Sequence, residues 1–127
     1  MIADLVAKLQ TVAELQTVKQ AYTLVPLEDL SEDCPACFVL PIGEDAGQNS
    51  GDNYVNQNLT TDWGLFIVCP VTELDIVRQA IRTALLGWVP AGPYDHTVFV
   101  RGEILDLKGQ YLWWRDVYRT STYIRAT

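Results

Sequence analysis

The chain has 127 residues, 49% of them hydrophobic and 20% charged, enough apolar material for one domain with a real core and too much for a disordered chain. Nine basic residues against sixteen acidic ones leave a net charge of −7, which disfavours a role whose main partner is a nucleic acid backbone. The longest apolar stretch, Leu65–Val71, is far too short to span a bilayer, and Met1-Ile2-Ala3-Asp4 carries no basic leader.

In chain order, residues 2–13 place Ile2, Leu5, Val6, Leu9, Val12 and Ala13 at helical spacing, which predicts a short amphipathic helix. Val18–Tyr22 reads as a short strand, and Pro26–Asp33 as a polar connection. Pro35–Ile42 is apolar and β-prone, with Pro41 confining it to an edge or an early end. Gly43–Asn53 then offers only one small apolar side chain in eleven residues, which predicts a mobile loop.

Tyr54–Cys69 reads as one long strand, polar in its first half and apolar in its second. At about 3.3 Å per residue such a strand reaches roughly 50 Å, so part of it protrudes from the domain as a polar hairpin. That hairpin is expected to order on contact with a partner, at an entropic cost that keeps the free subunit monomeric. A second helix follows, with Thr72 as N-cap, Glu73 and Asp75 in its first turn, and Leu74, Val77, Ala80, Ile81, Ala84 and Leu85 as its buried stripe. Gly87 and Pro90 end it. Val98–Leu107 and Gln110–Arg125 close the chain as an antiparallel hairpin around Lys108-Gly109. The order implies an α+β fold over residues 1–127: a mainly antiparallel sheet of four to five strands, both helices on one face, one long protruding β-hairpin.

Charge is unevenly divided. Residues 1–97 hold four basic and thirteen acidic side chains, whereas residues 98–127 hold five and three. Opposite signs on one small domain suit a subunit that meets copies of itself or other proteins. In the last strand, Leu112, Trp114 and Tyr118 should face the core. Tyr111, Trp113, Arg115, Val117 and Arg119 form the alternate face, whose aromatic and guanidinium mixture is typical of interface anchors.

Catalytic signatures are sparse. Cys34-Pro35-Ala36-Cys37 is a C-x-x-C, but Phe38-Val39-Leu40-Pro41 does not open the helix that would lower a thiol's pKa. Cys34, Cys37, Cys69 and His96 together make a Cys₃His ligand set, so a small zinc- or thiol-dependent protein is the alternative from another class. Glu44, Asp45 and Asp52 lack the spacing of a calcium loop. His96 is the sole histidine, and no hydrolase or phosphate-binding motif occurs.

Two stretches carry a family likeness: Ala80-Ile81-Arg82-Thr83-Ala84-Leu85-Leu86-Gly87-Trp88-Val89-Pro90, and Gly102 through Thr120 with its Gly-Gln-Tyr-Leu-Trp-Trp-Arg-Asp centre. In them the chain resembles the tail terminator (tail completion) proteins of long-tailed bacteriophages. The C-x-x-C is not a feature of that likeness. What the resemblance implies is a non-enzymatic subunit without cofactors that forms a six-membered ring on the last ring of the tail tube, stops tube growth and offers a surface for head joining. The implied partners are other copies of the chain, the tail tube protein and the head–tail connector protein, without sequence-specific nucleic acid binding and without a membrane. The implied location is the head-proximal end of the virion tail, after assembly in the host cytoplasm. A head–tail connector or another tail completion subunit is the neighbouring alternative. For a ring built head to tail, the candidate subunit and tube contacts are Asp45, Asp52, Tyr54 and Gln57 on the acidic hairpin side, and Arg101, Trp113, Arg115 and Arg119 on the basic strands.

Overall fold

The computed structural model describes residues 1–20 and 34–126. Its elements are α1 (Ile2–Leu9), β1 (Thr17–Gln20), β2 (Ala36–Ala46), β3 (Val55–Pro70), α2 (Leu74–Leu85), β4 (Val98–Lys108) and β5 (Tyr111–Ala126). The five strands form one sheet in the order β1-β2-β3-β5-β4. Only the β1–β2 pair is parallel. The other three neighbours are antiparallel, with the two-residue β4–β5 turn the tightest of the connections. The expected α+β fold is the observed one.

Both helices pack on one face, for a reason visible in their spacing. Leu5 and Leu9 of α1 and Val77, Ile81 and Leu85 of α2 recur every four residues and are the helices' buried positions. They meet the odd-numbered side chains of β3, Trp63, Leu65, Ile67 and Cys69, together with Cys37, Val39 and Tyr118. The β3–β5 register sets Trp63 opposite Tyr118, Leu65 opposite Asp116 and Ile67 opposite Trp114. A one-residue slip would turn this whole set away from the helices. A smaller cluster of Cys34, Ala36 and Val68, with Phe38, Tyr111 and Trp113 against it, occupies the opposite face.

The structure differs from the expected elements at their ends. The first helix stops at Leu9 rather than residue 13: the Thr11 hydroxyl donates to the Lys8 carbonyl at 2.6 Å, and a chain of turns carries Val12 and Leu15 into the core instead. The expected first strand ends at Gln20 within the described residues; Tyr22 and the Pro26–Asp33 connection lie outside them. Thr72 is not the cap of α2. A 3₁₀ turn over Val71–Glu73 leads into the helix, whose N-cap is Glu73 with no side-chain hydrogen bond. The Val71 N–H donates instead to the Gln110 carbonyl at 2.9 Å, which ties the helix entry to the β4–β5 turn.

Two differences reshape the surface. Strand β2 does not end at Pro41; it passes a register irregularity between Pro41 and Gly43 and continues to Ala46. Four of the eleven residues of the expected loop are thus strand. And β5 is as long as β3, pairing with it from Val55↔Ala126 to Pro70↔Tyr111, so the protruding hairpin is a three-stranded arm. The β4–β5 turn lies one residue later than expected: Lys108 pairs with Tyr111, and Gly109 takes φ +62° while Gln110 keeps a negative φ, the pattern of a type II′ hairpin turn that glycine alone enters without cost.

Candidate assembly surfaces

The arm tip is built by polar side chains. Asn49 Oδ1 accepts from the Asn56 N–H at 2.7 Å and the Gly51 N–H at 3.1 Å. The Gly47 N–H donates to the Asn58 carbonyl at 2.7 Å. Gln57 Nε2 donates to the Gly47 carbonyl at 2.9 Å, and Ser50 and Asn56 bond each other through backbone and side chain. A segment that sequence reading treats as one mobile loop is a closed tip in which the Gly47, Ser50, Gly51 and Asn56 N–H groups all find acceptors, two of them on the Asn49 side chain standing in for a ladder partner. Gln57 is therefore committed to holding the tip. Asp45, Asp52 and Tyr54 are exposed on it, along with Val55, Tyr123 and Ile124.

Two of the basic residues are already engaged within the subunit. Arg115 lies directly across from Glu103 and is ion-paired with it. Arg119 makes two bonds to Asp62, Nε to Oδ1 at 2.8 Å and Nη2 to Oδ2 at 3.2 Å. Those hydrogen bonds and the Asp62 charge, with a smaller contribution from Asp45, raise its pKa above the ordinary guanidinium value. Arg115 and Arg119 are thus each held by an acid of their own subunit, Glu103 and Asp62, neither of them among the acids expected to face a neighbour. Among the described residues, Arg101 is exposed without an ion-pair partner. Trp113 packs on the small Cys34–Ala36–Val68 cluster and Val117 is wholly buried, while Tyr111, Arg115 and Arg119 stay partly exposed on the alternate face of β5.

The expected core face of β5 holds Leu112 and Tyr118, with Trp114 half-buried. It also holds a group that sequence periodicity did not reveal as special. Asp116, 1% exposed, accepts from Arg78 Nε at 3.0 Å, Arg78 Nη2 at 3.0 Å and Trp114 Nε1 at 2.8 Å. The Arg78 guanidinium also lies 4.7 Å from the Trp114 ring centroid. A buried carboxylate with a bidentate Arg and a third donor has its charge and lone pairs met. This clamp fastens α2 to the sheet.

The thiol and zinc alternative finds no site. Cys37 and Cys69 lie in the main core and Cys34 in the smaller cluster. His96 sits near the end of α2, its Nδ1 2.8 Å from the Gly87 carbonyl oxygen. Among the described residues no group of three His, Cys, Asp or Glu is placed to hold a metal ion. Burial raises the Cys37 pKa, with Asp116 adding to it, and pushes Cys69 up to about 11, with Cys34 and Glu73 adding to the effect. Both are the reverse of a reactive thiolate. Among the described residues, no helix is long and apolar enough to cross a membrane.

What remains is a small α+β subunit with a structured arm, an edge strand rich in exposed apolar side chains, and its buried charges spent on internal fastening. That is the anatomy of an assembly subunit. The family described as phage tail terminator protein matches residues 2–127, and the chain belongs to it. It is a structural, ring-forming component of the virion tail, not an enzyme. A chain in the virion of a native gene transfer agent particle is similar in fold, with a TM-score of 0.56 at 17% sequence identity, over 96% of this chain and 86% of that one. No curated protein matches.

Proposed function

We propose that the subunit closes, as a single domain over residues 1–127, into a six-membered head-to-tail ring on the last ring of the tail tube, halts tube growth and offers its other surface to the head–tail connector protein. The observation that carries this reading is the match of the tail terminator family along essentially the whole chain. Capping follows from a surface mismatch: one ring face fits the tube protein, and the opposite face does not repeat it, so the next tube subunit finds no partner. The arm is the part we assign to the tube. Asp45, Asp52 and Tyr54 are exposed at its end, and Gln57 holds the tip in shape. Arg101, Trp113, Arg115 and Arg119 are assigned to subunit contacts, with Arg101 as the cation open to a neighbour. Assembly takes place in the host cytoplasm, before the finished tail joins a head.

The test is to add purified protein to polymerising tail tube protein and measure tube lengths by electron microscopy. The expected result is shorter tubes with density at one end. Unchanged lengths with bare ends would refute termination.

A further inference from the structure

Strand β4 is an edge of the sheet, and two register shifts interrupt its pairing with β5, between Phe99 and Arg101 and between Ile104 and Asp106. Such bulges bend an edge and spoil it as a template for adding another strand, while re-aiming side chains. The second shift has a specific result. Ile104 stands opposite Trp114 and Leu107 opposite Leu112, so two residues three apart face the same side of the sheet, which a regular strand forbids. Ile104 is 56% exposed and Leu107 55%, with Leu105 exposed between them. Lys108 follows, and its ion pair to Asp106 is long, 3.9 Å, between two exposed groups, leaving the ammonium ready to exchange partners. The end of the β4–β5 hairpin is thus an apolar knob with a cation beside it.

The same chain carries a matching hollow. An open groove of about 730 Å³ lies between the end of α1 and α2, lined by Val12, Ile76, Ala80 and Ala84 together with Glu14, Asp75 and Lys8. Ile76 is 62% exposed on a helix whose other apolar residues are largely buried. Knob and groove are both largely apolar, Lys108 on one has Glu14 and Asp75 to meet on the other, and they are different surfaces of one subunit. A contact between two such surfaces is heterologous, the kind that generates a ring when its rotation closes.

We infer that the β4–β5 hairpin tip of one subunit, through Ile104, Leu105 and Leu107, seats in the α1–α2 groove of the next copy, with Lys108 meeting Glu14 or Asp75. This rests on the ring reading above and adds a second contact between neighbouring subunits to the one assigned there.

The experiment uses two single variants, Ile76→Cys and Leu107→Cys. The three native thiols are buried, so each variant presents one accessible cysteine. Wild-type sedimentation first establishes the ring. Under mild oxidation, each variant alone should stay uncrosslinked and their mixture should give a covalent dimer. Ile76→Glu should raise the dissociation constant of the assembly at least tenfold with an unchanged circular dichroism spectrum, and Lys108→Glu should be at least partly rescued by Asp75→Lys. A ring that forms in the wild type, does not crosslink in the mixture and survives Ile76→Glu would overturn this contact and leave the ring standing. Dimer from either variant alone would overturn the head-to-tail geometry. A wild type that stays monomeric at every accessible concentration would overturn the ring reading, and this contact with it.

Discussion

Gly102 is where the clamp between α2 and the sheet is most exposed to a single atom. A Cβ there would lie 2.5 Å from Asp116 Oδ1 and 3.0 Å from both Arg78 Nη2 and Trp114 Nε1. The oxygen would have to retreat by about 1 Å to restore van der Waals contact. It has little room, because Asp116 is a short side chain that is almost wholly buried, and that oxygen accepts from both Arg78 Nη2 and Trp114 Nε1. Hydrogen bonds to a charged group contribute about 1.5–3 kcal/mol each, and overpacking costs about 1–3 kcal/mol. Against these stands a gain of about 0.4–1 kcal/mol from the stiffer unfolded chain. Gly102→Ala is therefore expected to destabilise by about 2–3 kcal/mol. With a urea slope of about 1–3 kcal/mol per molar, the midpoint should fall by about 0.7–3 M, read by the fluorescence of the four tryptophans. The coupling is the sharper test. In an Arg78→Ala background the carboxylate has already lost its bidentate partner, so the glycine substitution should cost at least about 1 kcal/mol less. Full additivity, or an unchanged midpoint, would refute the clamp as described.

Two further outcomes follow from buried titrating groups. Burial, and to a lesser degree Asp116, holds the Tyr118 hydroxyl pKa up at about 12, against 10.0 for an ordinary tyrosine, with Arg82 and Arg78 opposing. The folded state keeps that proton where the unfolded state releases it, so stability should decline as pH rises from about 10 to about 12. Tyr118→Phe should flatten that limb of a stability–pH curve, and an unaltered slope would contradict the assignment. Cys37 and Cys69 begin their own contribution above the ordinary thiol value of 9.0, and being buried they should react with a thiol reagent no faster than the protein opens. Rapid stoichiometric labelling of the native protein at pH 8 would contradict their burial.

Strand and helix identity were legible because apolar pattern dictates them: a residue every four in α2, and an unbroken apolar run from Leu65 to Cys69 on β3. The ends were not, since they depend on partners distant in sequence. The Val71 N–H finds its acceptor at Gln110, so the helix entry is set by a turn some forty residues on, and no local capping signal at Thr72 reports it. The arm tip was misread for a related reason: Asn49, Ser50 and Asn56 look like loop composition, yet their side chains complete each other's hydrogen bonds once β2 and β3 are side by side. The assembly surfaces were the least visible. Charge counting locates Arg115 and Arg119 correctly on the basic strands, but not that Glu103 and Asp62 stand opposite and beside them. Nor does it show the bulge that gathers Ile104 and Leu107 on one side. Its only sequence trace is a run, Ile104-Leu105-Asp106-Leu107, that fails to alternate.

Strands β3 and β5 pass unbroken from beneath the helices into the arm, and this has a mechanical consequence. The tip cannot slide along its neighbour unless Trp63, Leu65 and Ile67 leave their places as well, so the interior acts as the anchor that fixes the height and heading of the arm. A partner gripping Asn58 or Tyr123 meets a rigid spar already aimed, and little of its grip is spent on choosing among alternative alignments. The same continuity runs in the other direction: load applied at the far end is delivered straight into the interior, with no hinge between them to absorb it.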